Sequence, residues 1–214
     1  VMLARRAPEL DAAAGAICAA GGTARAIPQD ITDLPATAAL IAAEGPFDVA
    51  VNAAGLARHS DATDTTPEDY DAVTDLNTRA AYFFLREVAR GLIAAARPGS
   101  LITISSQMGH VGGPDRAVYA ATKHAVEGMT KSMAIDWGQK GIRVNTICPT
   151  FIRTPLGEQT LRNPEKRAWI EQKIKLGRVG EVEDIMGAVV FLASDAAALI
   201  TGSALLVDGG WTAG

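Results

Sequence analysis

Short β-branched and apolar runs alternate along the chain with longer segments in which apolar residues recur at helical spacing. The short runs predict six β-strands, over residues 1–4, 23–27, 47–51, 100–105, 142–147 and 204–207. The longer segments predict helices over residues 8–20, 35–43, 79–96, 117–139, 164–175 and 182–193, with one more that opens at Pro67. The strands are apolar almost throughout, which is expected when helices cover both faces of a sheet.

Strand-helix alternation of this kind predicts βαβ units with right-handed crossovers. The expected fold class is therefore α/β, with a doubly wound parallel sheet between two layers of helices. The chain has 214 residues, of which 48% are hydrophobic and 21% charged, as is typical of one globular domain. No internal repeat or low-complexity linker divides it, so residues 1–214 are predicted to form a single domain.

Charge and hydropathy argue against several classes of partner. The chain carries 20 Lys and Arg against 24 Asp and Glu, without a basic stripe that could neutralise phosphates, so no nucleic-acid partner is expected. The longest apolar runs, such as residues 185–193, are shorter than the ~20 residues that cross a bilayer. The apolar start at residues 1–4 is too short for a secretory signal. We therefore expect a cytoplasmic protein with no membrane partner.

Neither the cysteines nor the histidines are spaced like metal ligands. Cys18 and Cys148 lie far apart in apolar stretches, so they are expected to be buried thiols in a reducing compartment and not a disulfide pair. His59, His110 and His124 show no ligand spacing either. The sequence therefore predicts no metal.

The end of the fourth predicted strand and the helix after it carry candidate chemistry. Residues 105–110 read Ser-Ser-Gln-Met-Gly-His, and Ser106 falls where ligands bind in open α/β sheets, at the carboxyl end of a strand. Tyr119 and Lys123 are four positions apart, which places them on one face of a helix. A Tyr-x-x-x-Lys run arises by chance in about one such chain in twelve, so the strand-end serine is what makes the pattern specific.

Several motifs together resemble the short-chain dehydrogenase/reductase family. They are Ser106, Tyr119-Ala-Ala-Thr-Lys123, Asn52-Ala-Ala-Gly55, Asn77 and the C-terminal Asp208-Gly-Gly. The family's catalytic serine precedes its tyrosine by thirteen positions, which matches Ser106 and not Ser105. The resemblance runs from Val1 to the C-terminus and implies a Rossmann-type fold and an NAD(P)-dependent oxidoreductase.

The glycine-rich phosphate turn of a dinucleotide-binding fold is not found in this sequence. Such a turn follows the first strand, whereas Gly15, Gly21 and Gly22 follow a helix-like run. The family places that strand and its turn ahead of the point where this chain starts. The resemblance therefore implies an N-terminally incomplete domain.

The resemblance also implies a set of cofactor contacts, with two departures from the family pattern. Ala53 replaces the second asparagine of Asn-Asn-Ala-Gly, and Thr150 replaces the glycine of Pro-Gly-x-x-x-Thr. Asp30, followed by Ile31, matches the aspartate that meets the adenine amino group, although it could be only a helix N-cap. The implied residues are Asp30, Ile31, Asn52, Ala53, Ala54, Gly55, Tyr119, Lys123, Pro149, Ile152 and Thr154.

Hydride transfer from a carbinol carbon to nicotinamide requires a group that takes the hydroxyl proton. The ordinary pKa of tyrosine is ~10, and we expect Lys123 and the positive nicotinamide ring to lower the pKa of Tyr119 so that it serves as acid and base. By resemblance, Lys123 also holds the ribose hydroxyls, Ser106 donates to the substrate oxygen, and Asn77 supports a proton-relaying water. Taken singly, Ser106 could merely cap a turn and Asn77 could be a surface amide.

The predicted substrate contacts favour a small polyhydroxylated or acidic carbonyl compound. Gln107 and His110 follow the catalytic serine, where a steroid or a long acyl chain would need aliphatic walls. The predicted substrate-binding residues are Ser106, Gln107, His110 and Tyr119. Basic residues in the segment that resembles the substrate lid are Arg153, Arg162, Lys166 and Arg167, although these could instead be the solvated face of a helix. A 3-oxoacyl thioester is the alternative substrate.

Arginines at the end of the first predicted strand favour NADP(H) over NAD(H) as cofactor, with NAD still open. The resemblance implies that this strand corresponds to the second strand of the complete fold. NAD enzymes place a carboxylate at the end of that strand, which repels a 2′-phosphate, whereas this chain has Arg5 and Arg6. Two guanidinium groups can pair with a phosphate through charge-assisted hydrogen bonds. The nearest acid, Glu9, lies in the next predicted helix, so it does not substitute for that carboxylate.

Two other functions and the assembly state remain to be tested. A non-catalytic cofactor sensor would be expected to lack Tyr119 or Lys123, and both are present. An incomplete chain could be inactive, because without its central strand the sheet would split.

The helices over 79–96 and 117–139 carry apolar residues on more than one stripe. With the family's second interface at residues 204–211, this predicts a homotetramer whose only other partner is a small-molecule substrate.

Overall fold

The computed structural model describes all 214 residues and contains six β-strands and eight α-helices. The strands are β1 (Met2–Ala4), β2 (Ala26–Pro28), β3 (Val49–Asn52), β4 (Gly99–Ile104), β5 (Ile142–Pro149) and β6 (Ala204–Val207). The helices are α1 (Ala7–Ala19), α2 (Leu34–Glu44), α3 (Pro67–Thr74), α4 (Ala81–Ala94), α5 (Ala117–Trp137), α6 (Pro155–Leu161), α7 (Pro164–Lys173) and α8 (Glu183–Ala193). All six predicted strands are confirmed, with ends shifted by a few residues.

All strand pairs are parallel, which confirms the predicted α/β class. The strands form two sheets, however: β1 pairs with β2, and the other four lie in the order β3-β4-β5-β6. Helices were expected to cover both faces of every strand, and this is wrong for β3. Its side chains Val49 and Val51 are each more than a third exposed, and the helix that packs against it is α4.

Helices cover both faces of β4 and β5 in the four-stranded sheet. On one face, α4 and α5 pack over Leu101 of β4 and Val144 of β5. On the other face, α8 packs over Ile102 and Ile147. Leu101 and Ile102 serve opposite cores because successive side chains of a strand point to opposite faces. These two cores hold the carboxyl ends of β4 and β5 in place.

The predicted start of the helix over 79–96 is wrong. The chain is helical without a break from Pro67 to Ala94, and residues Asp75–Ala80 form a π-helical insertion between α3 and α4. Spacing of apolar residues does not separate a single π turn from α-helix, so the pattern could not show it. The insertion buries Asn77, which is 2% exposed.

The sequence analysis missed α6 and misjudged one cysteine. Thr154 caps α6 by accepting a hydrogen bond from the Gly157 N–H (3.1 Å), so the Thr-Pro pair at its start was the available signal. Cys18 is exposed on α1, which corrects its expected burial, whereas Cys148 is buried on β5 as expected. None of the helices combines the length and apolar character that crossing a membrane requires.

Candidate active site

Ser106, Tyr119 and Lys123 meet where β4 ends and α5 begins. Ser106 is buried directly after β4, and its Oγ accepts a hydrogen bond from the Met108 N–H (3.1 Å), which orients the hydroxyl. On α5, the Lys123 Nζ lies 5.6 Å from the centroid of the Tyr119 ring. Lys123 is 4% exposed, and its Nζ donates to the carbonyl of Ile104 (3.0 Å) at the strand end.

Burial dominates the protonation of Tyr119 and Lys123. It raises the pKa of Tyr119, while the Ser106 hydroxyl and the positive charge of Arg116 act in the opposite direction. Burial also lowers the pKa of Lys123 to about 8, against the opposing effects of Cys148 and Glu127. In the chain alone, desolvation of the phenolate outweighs the charge of Arg116. The expected lowering of the Tyr119 pKa by Lys123 together with the nicotinamide ring stays a prediction.

Asn77 connects the loop after β3 to α5. Its Oδ1 accepts from the Leu56 N–H (2.8 Å), and its Nδ2 donates to the Leu56 carbonyl (2.8 Å) and to the Thr122 Oγ1 (3.1 Å). Both N–H groups of the side-chain amide are thus occupied by protein atoms. The water relay predicted for Asn77 stays a prediction. Asn77 lies within the π-helical insertion, a feature often found at functional sites.

Buried polar atoms near these residues have the chemistry to hold a dinucleotide. The Asn52 Nδ2 and the Thr150 Oγ1 are buried without a hydrogen-bond partner, although buried polar groups are normally satisfied. A side chain at Gly55 would place its Cβ 3.8 Å from the Asn77 Oδ1 and 3.9 Å from the Lys123 Nζ, so the glycine leaves that space open. These unpartnered polar atoms, and the space left open at Gly55, fit the hydroxyl and amide groups of a nicotinamide nucleotide.

The remaining predicted nicotinamide-side residues lie at and after the ends of β3 and β5. Pro149 ends β5, and Ile152 forms a parallel β-bridge with Gly180. Thr154 is engaged as the cap of α6, and the Asn52 Oδ1 accepts from the Ala54 N–H (3.1 Å) in the loop that contains Ala53. Their contacts with a cofactor stay predictions.

The predicted adenosine-side residues follow β1 and β2, which pair in register with Ala4 opposite Pro28. The Asp30 Oδ1 accepts from the N–H and the hydroxyl of Thr32, and these hydrogen bonds lower the pKa of Asp30. The Arg5 Nη1 lies 3.9 Å from the Asp30 Oδ2, and Arg6 pairs with Glu9 at 2.9 Å. Arg5 therefore faces the same sheet edge as Asp30 and the half-buried Ile31, which follows it.

The two predicted substrate contacts after Ser106 lie against a buried polar cluster. Gln107 is 1% exposed and both atoms of its side-chain amide lack partners. The His110 Nε2 lies 3.4 Å from the Cys148 Sγ, which lies 3.3 Å from the Glu127 Oε1. These three side chains have metal-ligating atoms within 4.8 Å of one another, a grouping that sequence spacing did not reveal. Thr146 satisfies the other oxygen of Glu127.

A cavity of about 330 Å³ lies on the far side of His59 and Arg116 from Tyr119, and none of the four predicted substrate contacts, Ser106, Gln107, His110 and Tyr119, lines it. Its lining includes two groups that the sequence analysis missed, His59 and Arg116. The His59 ring meets the Tyr119 ring edge-on, with centroids 6.1 Å apart. Arg116 is three positions before Tyr119, a helical spacing that could have indicated it, whereas His59 lies in a loop without such a signal.

Three of the four basic residues of the predicted lid lie in two depressions, and the fourth, Arg162, is exposed at the C-terminal end of α6. Lys166 lines the cavity at His59 and Arg116. Arg153 and Arg167 line a second surface depression and pair with acids there, Arg153 with Glu181 (3.0 Å) and Arg167 with Glu171 (2.9 Å). Of the four predicted lid cations, Lys166 is thus the one that lies in the cavity.

Comparisons with known proteins agree with this geometry. A family profile described as enoyl-(acyl carrier protein) reductase matches residues 1–212. D-Erythrulose reductase of Gallus gallus is 39% identical over 182 residues, which is 85% of this chain and 74% of that protein. Gluconate 5-dehydrogenase of Gluconobacter oxydans (strain 621H) is 35% identical over 216 residues, covering 99% of this chain and 84% of that protein.

A solved structure also matches the fold and the sequence of this chain. A gluconate 5-dehydrogenase from Burkholderia cenocepacia J2315, in complex with NADP and tartrate, superposes with a TM-score of 0.94. It is 30% identical, and the match covers 100% of this chain and 85% of that chain. Sequence motifs, site geometry and these matches together show that the chain belongs to the short-chain dehydrogenase/reductase family of NAD(P)-dependent oxidoreductases.

Proposed function

We propose that the chain interconverts a secondary alcohol and a ketone in a small polyhydroxylated compound, with NADP(H) as the preferred cofactor. The observation that carries this proposal is the cavity lined by His59 and Arg116, the two residues that neighbour Tyr119. Its volume of about 330 Å³ is near the lower end of ligand sites, which suits a small molecule. Four charged side chains line it together with apolar ones, and the charged groups suit hydroxyl and carboxylate groups of a substrate. The charged residues are Asp115, Arg116, Glu165 and Lys166, and the apolar ones are Pro114, Phe151, Trp169 and Ile170.

The residues at the site divide the work of proton transfer. When bound, the nicotinamide supplies the hydride donor or acceptor. Ser106 donates a hydrogen bond to the substrate oxygen, and Tyr119 exchanges the hydroxyl proton. Lys123 holds a positive charge near the phenol and returns the proton through the π-helical segment at Asn77. The chain thus contributes orientation and electrostatics to a redox step that the cofactor performs.

The names of the relatives support a sugar or polyol substrate. A D-erythrulose reductase and a gluconate 5-dehydrogenase are both named for small polyhydroxylated compounds, a ketose and a sugar acid. The test is nicotinamide absorbance during assay of polyols, sugar acids, 3-oxoacyl thioesters and steroids with each cofactor. We expect the highest kcat/KM on a polyol or sugar acid. A bulky apolar ketone as the best substrate would contradict the proposal.

The cofactor preference is attributed to Arg5. Its pairing with Asp30 at 3.9 Å, with the Arg5 side chain 70% exposed, is a surface contact of small energy that a 2′-phosphate can replace. Replacing Arg5 and Arg6 together with Ala should raise KM for NADP(H) with little change for NAD(H). Arg5→Ala alone should produce most of this effect, and Arg6→Ala, whose partner is Glu9, is its matched control. Unchanged preference in the double variant, or a wild type that favours NAD(H), would defeat this assignment.

The homotetramer predicted from the sequence is retained as a proposal. Exposed apolar side chains are found on α8 and in the segment that leads to β6, with Val190 63% and Leu199 99% exposed. Such groups are candidates for subunit contacts. Light scattering at micromolar concentration should give the mass of four chains, and a monomeric mass would contradict this.

Two unpaired cysteines are consistent with a reducing, cytoplasmic location.

A further inference from the structure

Arg116 occupies an unusual electrostatic position in the cavity that it lines with His59. We infer that its guanidinium binds a carboxylate of the substrate, so that the substrate is a sugar acid of the aldonate class and not a neutral polyol. This inference rests on the proposed function and assigns the residue that selects among its substrates.

The first observation is that Arg116 has no anionic partner. It is half-buried, and no carboxylate oxygen lies within 4 Å of it, whereas most other arginines of the chain pair with an acid. The neighbouring acid, Asp115, pairs with Lys166 at 3.6 Å instead. A partly buried charge without a counterion is costly, and burial lowers the pKa of Arg116. An anionic ligand would remove this cost.

The second observation is that the guanidinium is already held in place. Its Nη1 lies 2.6 Å from the His59 Nε2, its Nη2 donates to the Thr160 Oγ1 (3.2 Å), and its Cζ lies 5.0 Å from the centre of the Phe151 ring. Burial and the charges of Arg116 and Lys166 lower the pKa of His59 to about 4, so His59 is neutral at pH 7 and accepts this hydrogen bond. The guanidinium has five N–H donors, and those that remain can bind a carboxylate.

The third observation is the short distance to the reacting group. Arg116 precedes Tyr119 by one helical turn, and the His59 ring that it contacts meets the Tyr119 ring edge-on at 6.1 Å. A carboxylate on Arg116 and a hydroxyl at Tyr119 therefore belong to one short carbon chain. The cavity's Lys166, being engaged by Asp115, leaves Arg116 as the unpaired cation there.

The test compares an aldonate with the alditol of the same carbon skeleton, such as gluconate and glucitol, which differ at one terminal carbon. With NADP⁺ we expect the wild type to prefer the aldonate. Arg116→Gln should lower kcat/KM for the aldonate by about 10²-fold, as for loss of a charge-assisted pair, and that for the alditol by less than about threefold. Arg116→Lys keeps the charge without the planar fork, so its kcat/KM for the aldonate should lie between those of the wild type and Arg116→Gln. Arg97→Gln, which removes an arginine at the opposite end of β4, is the matched control.

A common fall for both substrates would overturn the inference and leave the proposed function standing, because it would show that Arg116 acts on Tyr119 or on folding. A wild type that prefers the alditol would overturn it as well. If the wild type oxidises neither compound, the wider substrate screen decides the proposed function, and calorimetry with gluconate and the NADP⁺-loaded protein decides the inference separately. Gluconate binding that Arg116→Lys weakens would then support the subsite, and equal or absent binding in both proteins would refute it.

Discussion

Tyr119→Phe is expected to bind NADP(H) normally and to turn over substrate ~10²–10⁴-fold more slowly than the wild type, the range typical for loss of a general acid or base. Phenylalanine keeps the ring that packs edge-on against His59 and removes the single atom that exchanges the proton. Because burial raises the pKa of the Tyr119 phenol, little phenolate forms in the chain alone, and proton removal depends on the assembled site.

Cofactor titration by fluorescence and steady-state kinetics together check this expectation. Ser106→Ala is a useful companion, since it keeps the phenol but removes its hydroxyl neighbour. If Tyr119→Phe retained near wild-type turnover, the assignment of Tyr119 as acid and base would be wrong. A non-catalytic cofactor sensor would show no turnover even in the wild type.

Lys123→Met should lose most activity and at the same time raise the free energy of unfolding at neutral pH. The ammonium is 4% exposed, donates to the carbonyl of Ile104 and has no carboxylate within 4 Å. A lysine whose pKa falls from 10.5 in the unfolded chain to about 8 in the fold destabilises the folded state by about 3 kcal/mol below pH 8. Methionine fills similar volume without that cost, which is the stability-activity conflict typical of active sites.

The pH dependence of stability distinguishes this cause from improved packing. Between pH 8 and 10.5 the unfolded chain still holds the Lys123 proton while the folded chain has released it, so wild-type stability rises relative to the variant. Urea unfolding at several pH values should therefore show the advantage of Lys123→Met constant below pH 8, shrinking above it and absent above pH 10.5. A pH-independent advantage would point to packing, and a less stable variant at pH 7 would refute the cost of burial.

The sequence by itself determined the class of fold and singled out the candidate catalytic triple of Ser106, Tyr119 and Lys123. Strand and helix periodicities are local properties, so the six strands and most helices were predicted from runs of a few residues. The four-residue spacing of Tyr119 and Lys123 is local too, since a helix fixes which face they share. The strand-end serines needed one further rule, that ligands meet parallel sheets at the carboxyl ends of their strands. The choice of Ser106 over Ser105 rested on the thirteen-position spacing that the family resemblance implies.

Only the tertiary structure decided what surrounds that triple. Arg116 and His59 are 57 positions apart, and Glu127 and Cys148 come from a helix and a strand, so no local pattern records that they touch. The π-helical turn that buries Asn77 also depends on packing partners. The physical reason is that such contacts form when separate elements bury their apolar faces together, and burial is a property of the whole chain and not of a sequence window.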